Sequence, residues 1–583
     1  MPPVKPYQNG ETSLSKSKIA LLTAFLLFST TIPATAENPP RRILSGWLPD
    51  YSLSRNLPTV EGNLDLLRDV SPFWYGLTGG MNVKDKYALG RYTTPKEQVI
   101  ARLKSNNIIL LPTITDDNGR LVLANLLANE SSRNTIVQNL KALVLKQNYD
   151  GIDLDFETFY TKDGRSTWPA LKPNWIAFIK QLSGELRSQN KLLSVTTPPD
   201  FAKETKRAGN SVYSWSEIGP YIDRLRIMAY DFSTTSPGPI GPLAWTEDAV
   251  KYAVTQMPAS KVFLGIPGYG RDWVTKVDGV CPTAFASSVV VGAKAAVVMR
   301  EALNLATNNK AVPTYNSTHA ESTFTYTKTY MDPTNSAIAC TATRKVWFPD
   351  ERSYAARTNL VGKYRLGGIA VWTFGMENAA AMSAVREIAK SIAPDQVIGT
   401  ISTDLAEISY GSTFNLAATF KLPDKTPVAA LNVRFEIKNS NDSNWRSLAA
   451  GITDATGAIS VPVIIGQKSL IRLVSEGSWE RIEGITAEKS ISVVPKVILP
   501  LPTSIKVGAT YPISGQIMPN AQGIKLSVLQ DGKSIGSFTT DTNGSFNFTI
   551  TPTTPGIHTY QIAIEAGVKN SAGSSELFTV LVR

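Results

Sequence analysis

Short apolar segments alternate with helix-like segments from about residue 42 to residue 392, and this alternation is the strongest constraint on the fold. The helix-like segments repeat apolar residues at three- and four-residue steps, as Trp175, Phe178 and Leu182 do. The eight predicted strands are 42–50, 69–76, 107–116, 150–157, 191–199, 223–231, 261–270 and 367–375. Strands that alternate with helices form parallel sheets, and eight of them predict a (β/α)8 barrel, the TIM-barrel architecture.

After about residue 396 the apolar period changes to two. Three segments alternate apolar and polar residues between turn signals, as β-sandwich strands do: 432–437, 545–550 and 558–565. The stretch 411–420 also resembles 508–517, which indicates an internal repeat. We therefore predict a multidomain chain, with a barrel domain at 37–395 followed by two immunoglobulin-like β-sandwiches at 396–495 and 496–583.

The N-terminus has the pattern of a secretory signal. Lys16 and Lys18 precede an uncharged apolar segment that ends in a small-x-small site at 34–36. This pattern predicts a signal peptide at 1–36 that is removed on export. An uncleaved membrane anchor is the alternative, but the apolar core is short for a span of about 20 residues. We expect a secreted, extracellular protein, free or associated with a cell wall, with no membrane contact after cleavage.

The connection between the seventh and eighth predicted strands is too long for a loop. Residues 272–346 include a strand-like segment at 322–330 and both cysteines of the chain, Cys281 and Cys340. Connections of this length usually fold into a subdomain, so we predict a small α+β insertion. A single cysteine pair in an exported chain indicates a disulfide, and two unpaired thiols are the alternative.

The composition argues against several kinds of site. The formal net charge of +11 is diffuse, without a run of Lys and Arg, so we expect no nucleic-acid binding. The only two histidines, His319 and His558, lie in different predicted domains, which disfavours a zinc site or a Ser-His-Asp triad. We predict no metal and no cofactor, and we expect a monomer. Asp and Glu side chains therefore remain as the candidate catalytic groups.

The fourth predicted strand carries three acids at alternate positions. In "DGIDLDFE" (150–157), Asp153, Asp155 and Glu157 alternate with Ile, Leu and Phe. Side chains two apart share a face, and in a barrel this acidic face is the interior, below the C-terminal strand ends. Enclosed carboxylates repel and lose hydration, so at least one should hold a proton near neutral pH. A calcium loop or a solvated strand face is the alternative, but these require hydrophilic intervening residues or an antiparallel sheet.

Together with three later segments, this motif resembles the family-18 glycoside hydrolases, the chitinase type. "DGIDLDFE" fits the pattern D-G-x-D-x-D-x-E, and "MAYD" (228–231), "GIPGYGR" (265–271) and "GGIAVW" (367–372) follow in the family's order. The resemblance extends over roughly residues 40 to 392 and does not include the β-sandwich modules. It implies a (β/α)8 barrel with glycosidase activity.

The resemblance also implies roles for the three acids. Glu157 would protonate the glycosidic oxygen and later act as the base for water. Asp155 would orient the 2-acetamido group of the substrate, whose carbonyl oxygen attacks the anomeric carbon in place of an enzyme nucleophile. Asp153 would share hydrogen bonds and a proton with Asp155.

The remaining predicted site residues bind the sugar. The resemblance implies that Tyr230 donates its hydroxyl to the acetamido group, with Met228 and Asp231 nearby, and that Trp372 forms an apolar floor. Aromatic side chains at strand ends suit the apolar faces of pyranose rings, and Trp47 could extend that surface. For Trp47, ordinary core packing is the alternative.

One departure from the family bears on the substrate. Many chitinases carry S-x-G-G at the end of the third strand, whereas this chain has "LPTITDD" (111–117), as in members that act on bacterial cell-wall glycans. We predict a hydrolase that cleaves β-1,4-linked N-acetylglucosamine polymers, chitin or chitin-like oligosaccharides, with retention. A peptidoglycan N-acetylglucosaminidase and an inactive glycan-binding lectin are the alternatives, although the presence of Glu157 disfavours a lectin. The expected partner is a polysaccharide, to which the β-sandwich modules either attach or serve as spacers.

Overall fold

The computed structural model describes residues 38–87, 94–403, 406–439 and 442–583. The predicted signal peptide at 1–36 lies outside these residues. None of the helices in the described ranges combines the length and the apolar character that a bilayer crossing requires.

Eight parallel strands form a closed barrel, as predicted. In chain order they are β1 (Leu44–Pro49), β2 (Ser71–Phe73, continued by Tyr75–Thr78), β3 (Thr113–Asp116), β4 (Gly151–Asp155), β5 (Leu192–Thr197), β6 (Arg224–Ile227), β7 (Val262–Pro267) and β8 (Gly368–Trp372). Each strand pairs in parallel with the next, and β8 pairs with β1, with Ile369 opposite Leu44. This last pairing closes the ring. A short strand, Asn82–Asp85, forms an antiparallel hairpin with β2.

Helices surround the strands because the outward strand residues are apolar. Ile152 and Leu154 of β4 belong to the same buried cluster as residues of the helices Glu130–Lys146 and Trp168–Arg187. The other helices are Leu53–Glu61, Lys96–Ser105, Val122–Ala128, Thr158–Thr161, Trp215–Ile218, Leu243–Gln256, Met299–Asn308, Glu351–Tyr364 and Ala379–Ser391.

The α+β insertion lies between β7 and β8. Its antiparallel sheet contains the strands Tyr269–Gly279, Lys294–Val298, Thr314–Asn316, Glu321–Met331 and Ala339–Phe348. The helix Met299–Asn308 packs on this sheet through Ala302 and Ala306. The sheet extends beyond the predicted limits of 272 and 346, because its first strand starts only two residues after β7 ends. The predicted disulfide is present and joins Cys281 to Cys340.

Two β-sandwiches follow the barrel, each with its own apolar core. The first contains the strands Ile398–Ile401, Glu407–Ser409, Thr413–Lys421, Asn432–Asn439, Arg446–Ile452, Ala458–Ile464, Ser469–Ser475, Gly484–Ile485 and Lys489–Val494. The second contains Lys496–Ile498, Ser504–Ile505, Tyr511–Met518, Lys525–Gln530, Lys533–Thr539, Ser545–Ile550, Gly556–Ile564, Gly573–Ser574 and Phe578–Val582. Both have a three-stranded sheet facing a larger one, with corresponding strand orders. The internal repeat in the sequence therefore corresponds to two copies of one topology.

The first β-sandwich contacts the barrel near Trp479. The guanidinium carbon of Arg41 lies 3.8 Å from the centroid of the Trp479 ring, and Trp479 packs against the barrel core. Glu480 forms an ion pair with Arg365 at 2.5 Å. Arg41 precedes β1 and Arg365 precedes β8, so the contact lies at the N-terminal ends of the strands. Catalytic sites of (β/α)8 enzymes lie at the opposite face.

Candidate active site

The motif on β4 places two acids inside the barrel and a third just beyond the strand. Asp153 is 0% exposed and Asp155 is 4% exposed. The predicted strand is too long, because β4 ends at Asp155 and Glu157 is the residue immediately before the short helix Thr158–Thr161. Phe156, between Asp155 and Glu157, is fixed by two contacts. Its ring stacks on Phe178 with centroids 6.1 Å apart, and its carbonyl accepts a 2.6 Å hydrogen bond from the Tyr213 hydroxyl.

A cavity of about 350 Å³ opens where the strands end. Seven of the eight predicted catalytic and sugar-binding residues line it: Trp47, Asp155, Glu157, Met228, Tyr230, Asp231 and Trp372. The eighth, Asp153, is buried on β4 and does not line the cavity. The structure therefore brings these residues together at one site, whereas their individual roles stay predictions. In the described part of the chain, no group of three or more His, Cys, Asp or Glu is arranged to hold a metal ion.

Asp153 is surrounded by hydrogen-bond donors. It accepts hydrogen bonds from the hydroxyls of Thr113 at 2.8 Å, Ser194 at 2.6 Å and Thr196 at 3.0 Å. The indole Nε1 of Trp47 lies 3.3 Å from Asp153 Oδ2, and an Arg226 nitrogen lies 3.4 Å from the same oxygen. Thr113 belongs to the "LPTITDD" segment, so this departure from the family pattern supplies a direct contact to the acid.

Asp155 and Glu157 are both in surroundings that favour the protonated form. Burial raises the pKa of Asp155 well above its usual range, and the neighbouring charges of Glu157 and Asp153 raise it further. Its Oδ1 has no hydrogen-bond partner among the described residues. Burial also raises the pKa of Glu157, the hydroxyl of Tyr160 that donates to Glu157 Oε2 lowers it, and the charge of Asp231 raises it.

The "MAYD" segment lies just after β6 rather than on it. Asp231 has a left-handed backbone with φ of 62° and accepts 2.5 Å hydrogen bonds from Tyr269 Oη and Arg271 Nη2. Tyr230 packs close to β7. A Cβ on Gly265 would lie 3.1 Å from Tyr230 Cε1 and 2.3 Å from the Ile227 carbonyl oxygen, so a side chain at this position would displace its neighbours.

Trp372, at the end of β8, has the aromatic surface that remains open to the cavity. Its ring is edge-on to Trp47 at 5.6 Å and to Phe73 at 4.9 Å. Trp47 is only 1% exposed. Trp47 therefore mainly supports Trp372 and Asp153, with little surface left for a sugar ring.

Several residues at this site were not predicted from the sequence. The cavity is also lined by Tyr160, Pro198, Pro199, Ala208, Asn210, Trp245 and Tyr269. Tyr160 follows Glu157 by three residues, and this spacing places the two side chains on the same side of a helical turn. The spacing therefore indicates from the sequence alone that Tyr160 lies near Glu157. Trp245 lies in the helix Leu243–Gln256 and Asn210 in the connection between β5 and β6, and no local pattern indicates that either side chain reaches the cavity.

The structure thus combines a closed (β/α)8 barrel with carboxylic acids and aromatic side chains around a cavity at the C-terminal strand ends. The family model described as "Glycosyl hydrolases family 18" matches residues 58–377, more than half of the 583-residue chain, and the chain belongs to this family. The chain is therefore a member of a glycosidase family whose substrates are polysaccharides.

Individual relatives are distant. The uncharacterized glycosylase YvbX of Bacillus subtilis is 25% identical over 276 residues, which is 47% of this chain and 71% of the relative. The cortical fragment-lytic enzyme of B. subtilis is 25% identical over 284 residues, 47% of this chain and 58% of the relative. A crystal structure of a chitinase from Chromobacterium violaceum matches 60% of this chain and 98% of its own, at 23% identity and a TM-score of 0.48.

Proposed function

We propose that the chain is a secreted glycosidase that cleaves β-1,4-linked N-acetylglucosamine polymers with retention, using the acetamido group of the substrate as the nucleophile. The observation that carries this proposal is that Asp155 and Glu157 line one cavity with Tyr230 and Trp372. Both acids have a raised pKa, which suits a proton donor and a hydrogen-bond donor working near neutral pH.

The reaction proceeds in two inversions. The sugar ring stacks on Trp372, and Glu157 gives its proton to the glycosidic oxygen as that bond breaks. The carbonyl oxygen of the acetamido group attacks the anomeric carbon from the opposite face, held by protonated Asp155 and by the hydroxyl of Tyr230. Water then attacks the same carbon, Glu157 removes its proton, and the product has the β configuration.

Two polymers present this linkage, and chitin is the first candidate because the chitinase-type motif is complete. Peptidoglycan is the second candidate, supported by Thr113 in place of the S-x-G-G segment and by a relative named for cortical fragment lysis. The first β-sandwich docks at the face opposite the cavity, which supports a spacing or anchoring role for the modules.

Digestion of chitin oligomers and purified peptidoglycan side by side tests this proposal. We expect new reducing ends from at least one of the two polymers, and the amounts from each identify the preferred substrate. The variant Glu157→Gln is the control for contaminating activity. Binding of both glycans without cleavage of either would indicate a lectin and contradict the proposal. Recovery of the protein outside the cell with an N-terminus at residue 37 would support secretion.

A further inference from the structure

A series of buried charges of alternating sign extends beneath the candidate active site. Arg224 pairs with Asp69 Oδ2, and Arg226 Nη2 lies 2.6 Å from Asp69 Oδ1. The other terminal nitrogen of Arg226 lies 3.4 Å from Asp153 Oδ2. The side chains of Asp69, Arg226 and Asp153 are all 0% exposed. Asp155, the next acid on β4, is the one that reaches the cavity.

The position of Arg226 follows from the alternation of β6. Its Leu225 and Ile227 are buried in the outer apolar cluster, whereas Arg224 and Arg226 lie on the other face, toward the barrel interior. Arg226 is held there by the hydroxyls of Ser71 at 2.6 Å and Ser45 at 3.2 Å. In this position, one terminal nitrogen of the guanidinium lies toward Asp69 and the other toward Asp153.

A network of this kind is a poor way to stabilise a barrel. Burying ions loses their hydration, and well-packed apolar residues of similar volume often give equal or greater stability. The barrel is otherwise filled by apolar and small residues, and Arg226 is the one charged group of the described residues that contacts Asp153. Its placement is therefore better explained by its effect on the acids.

We propose that Arg226 is a positioning residue whose charge, placed against Asp153, holds the proton of the Asp153–Asp155 pair on Asp155. Asp155 then faces the cavity as a hydrogen-bond donor when the substrate arrives. This inference rests on the proposed function and deepens it, because it names the group that sets the protonation of the acids.

The surroundings of the pair are consistent with this assignment. Asp153 is contacted from β1, β3 and β5 by neutral donors only, and from β6 by Arg226. The charges that act on Asp155 are those of Glu157 and Asp153 from its own segment, Lys86 from the segment after β2, and Arg226. The ionisable hydroxyls of Tyr160, Tyr213 and Tyr230 also interact with it. Of these groups, Arg226 is the positively charged one that lies against Asp153.

The first test compares Arg226→Gln with Arg224→Gln in the full chain. Arg224→Gln is the matched control, because it removes the same charge from the same strand and the same Asp69 network without a contact to Asp153. In Arg226→Gln, we expect the acid limb of the kcat/KM profile on a soluble N-acetylglucosamine oligomer to move to higher pH by about one unit or more. Arg224→Gln should displace the limb less, because Arg224 does not contact Asp153, and Arg226→Lys should return the limb most of the way to its wild-type position.

A second variant should displace the acid limb in the opposite direction. Asp69→Asn removes the negative charge that competes for Arg226, so we expect the acid limb to move to lower pH. A purely structural role would impair all of these variants without displacing their limbs in opposite directions. Equal displacement in Arg226→Gln and Arg224→Gln, or no displacement in Arg226→Gln, would overturn the proposal.

A readout without turnover separates this inference from the proposed function. The infrared absorption of protonated carboxyl groups is measured at neutral pH in a Glu157→Gln background. With Arg226 present, Asp155→Asn should remove the protonated-carboxyl signal of the pair, because Arg226 lies against the remaining acid. With Arg226→Gln, Asp155→Asn should leave part of that signal. Failure of the enzyme to cleave any oligomer would contradict the proposed function, while this measurement would still decide the role of Arg226.

Discussion

The buried ion pair between Glu321 and Arg357 joins the insertion to the barrel, and its disruption should have a large effect. Glu321 Oε1 accepts hydrogen bonds from Arg357 Nη2 at 2.8 Å and from the Gly241 N–H at 2.8 Å, and its Oε2 accepts one from the Ile240 N–H at 2.7 Å. Both side chains of the pair are 0% exposed. Ile240 and Gly241 lie in the chain between Asp231 and Trp245, which both line the cavity, so the pair anchors the segment that connects these two residues.

Arg357→Met keeps most of the side-chain volume but leaves the Glu321 carboxylate buried without its counter-ion. Removing one partner of a buried pair typically costs about 3–5 kcal/mol of unfolding free energy. Arg352, which is 54% exposed, pairs with the buried Asp350 and provides a control on the same helix. Arg352→Met should cost less than Arg357→Met, because Asp350 keeps hydrogen bonds from the Ser322 hydroxyl and the Ser353 N–H.

The loss should also depend on pH in a defined direction. Burial already raises the pKa of Glu321, and Arg357 opposes this effect, so Arg357→Met raises the pKa further. A carboxyl whose pKa is higher in the folded than in the unfolded state destabilises the fold as pH rises above the unfolded value. The deficit of Arg357→Met relative to the wild type should therefore be larger at neutral than at acidic pH.

Urea unfolding followed by tryptophan fluorescence measures these differences, since nine of the eleven tryptophans precede residue 395. Adding Glu321→Gln to Arg357→Met should recover part of the stability, because the neutral amide still accepts from one backbone N–H. Equal losses in Arg357→Met and Arg352→Met, with no pH dependence, would refute this reasoning.

Two further predictions concern the acids. Glu157→Gln should retain oligomer binding and lower kcat by about 10²–10⁴-fold. Asp155→Asn should also strongly lower kcat, because the acetamido group of the substrate is no longer held for attack. Single-turnover kinetics and a binding assay measure both effects. Tyr160→Phe removes a hydrogen bond that favours ionised Glu157, so the alkaline limb of the kcat/KM profile should move to higher pH, whereas Asp231→Asn should move it to lower pH. Shifts of the same sign in both variants would contradict these assignments.

The positions of the acids could be predicted because strand alternation is a local property. The same alternation on "DRLRIMAYD" (223–231) indicates that Arg224 and Arg226 face inward, although neither was among the predicted site residues. The end of β4 was predicted too late, because Phe156 continues the apolar pattern although its ring turns into the outer core with Phe178.

Contacts between distant segments could not be predicted. Trp479 and Arg41 are separated by most of the chain, and nothing in either local pattern indicates that they stack. The same holds for Glu321 and Arg357, where a strand-like and a helix-like segment each supply one member of a buried pair. Such pairs depend on the path of the whole chain between them.

The configuration of the first-formed product tests the central claim most directly. Proton NMR of a soluble N-acetylglucosamine oligomer, recorded before mutarotation, distinguishes the two anomers at the new reducing end. Substrate-assisted cleavage by Glu157 and Asp155 predicts the β anomer, because two inversions occur at the same carbon. An initial α anomer would mean direct attack by water and would contradict the account.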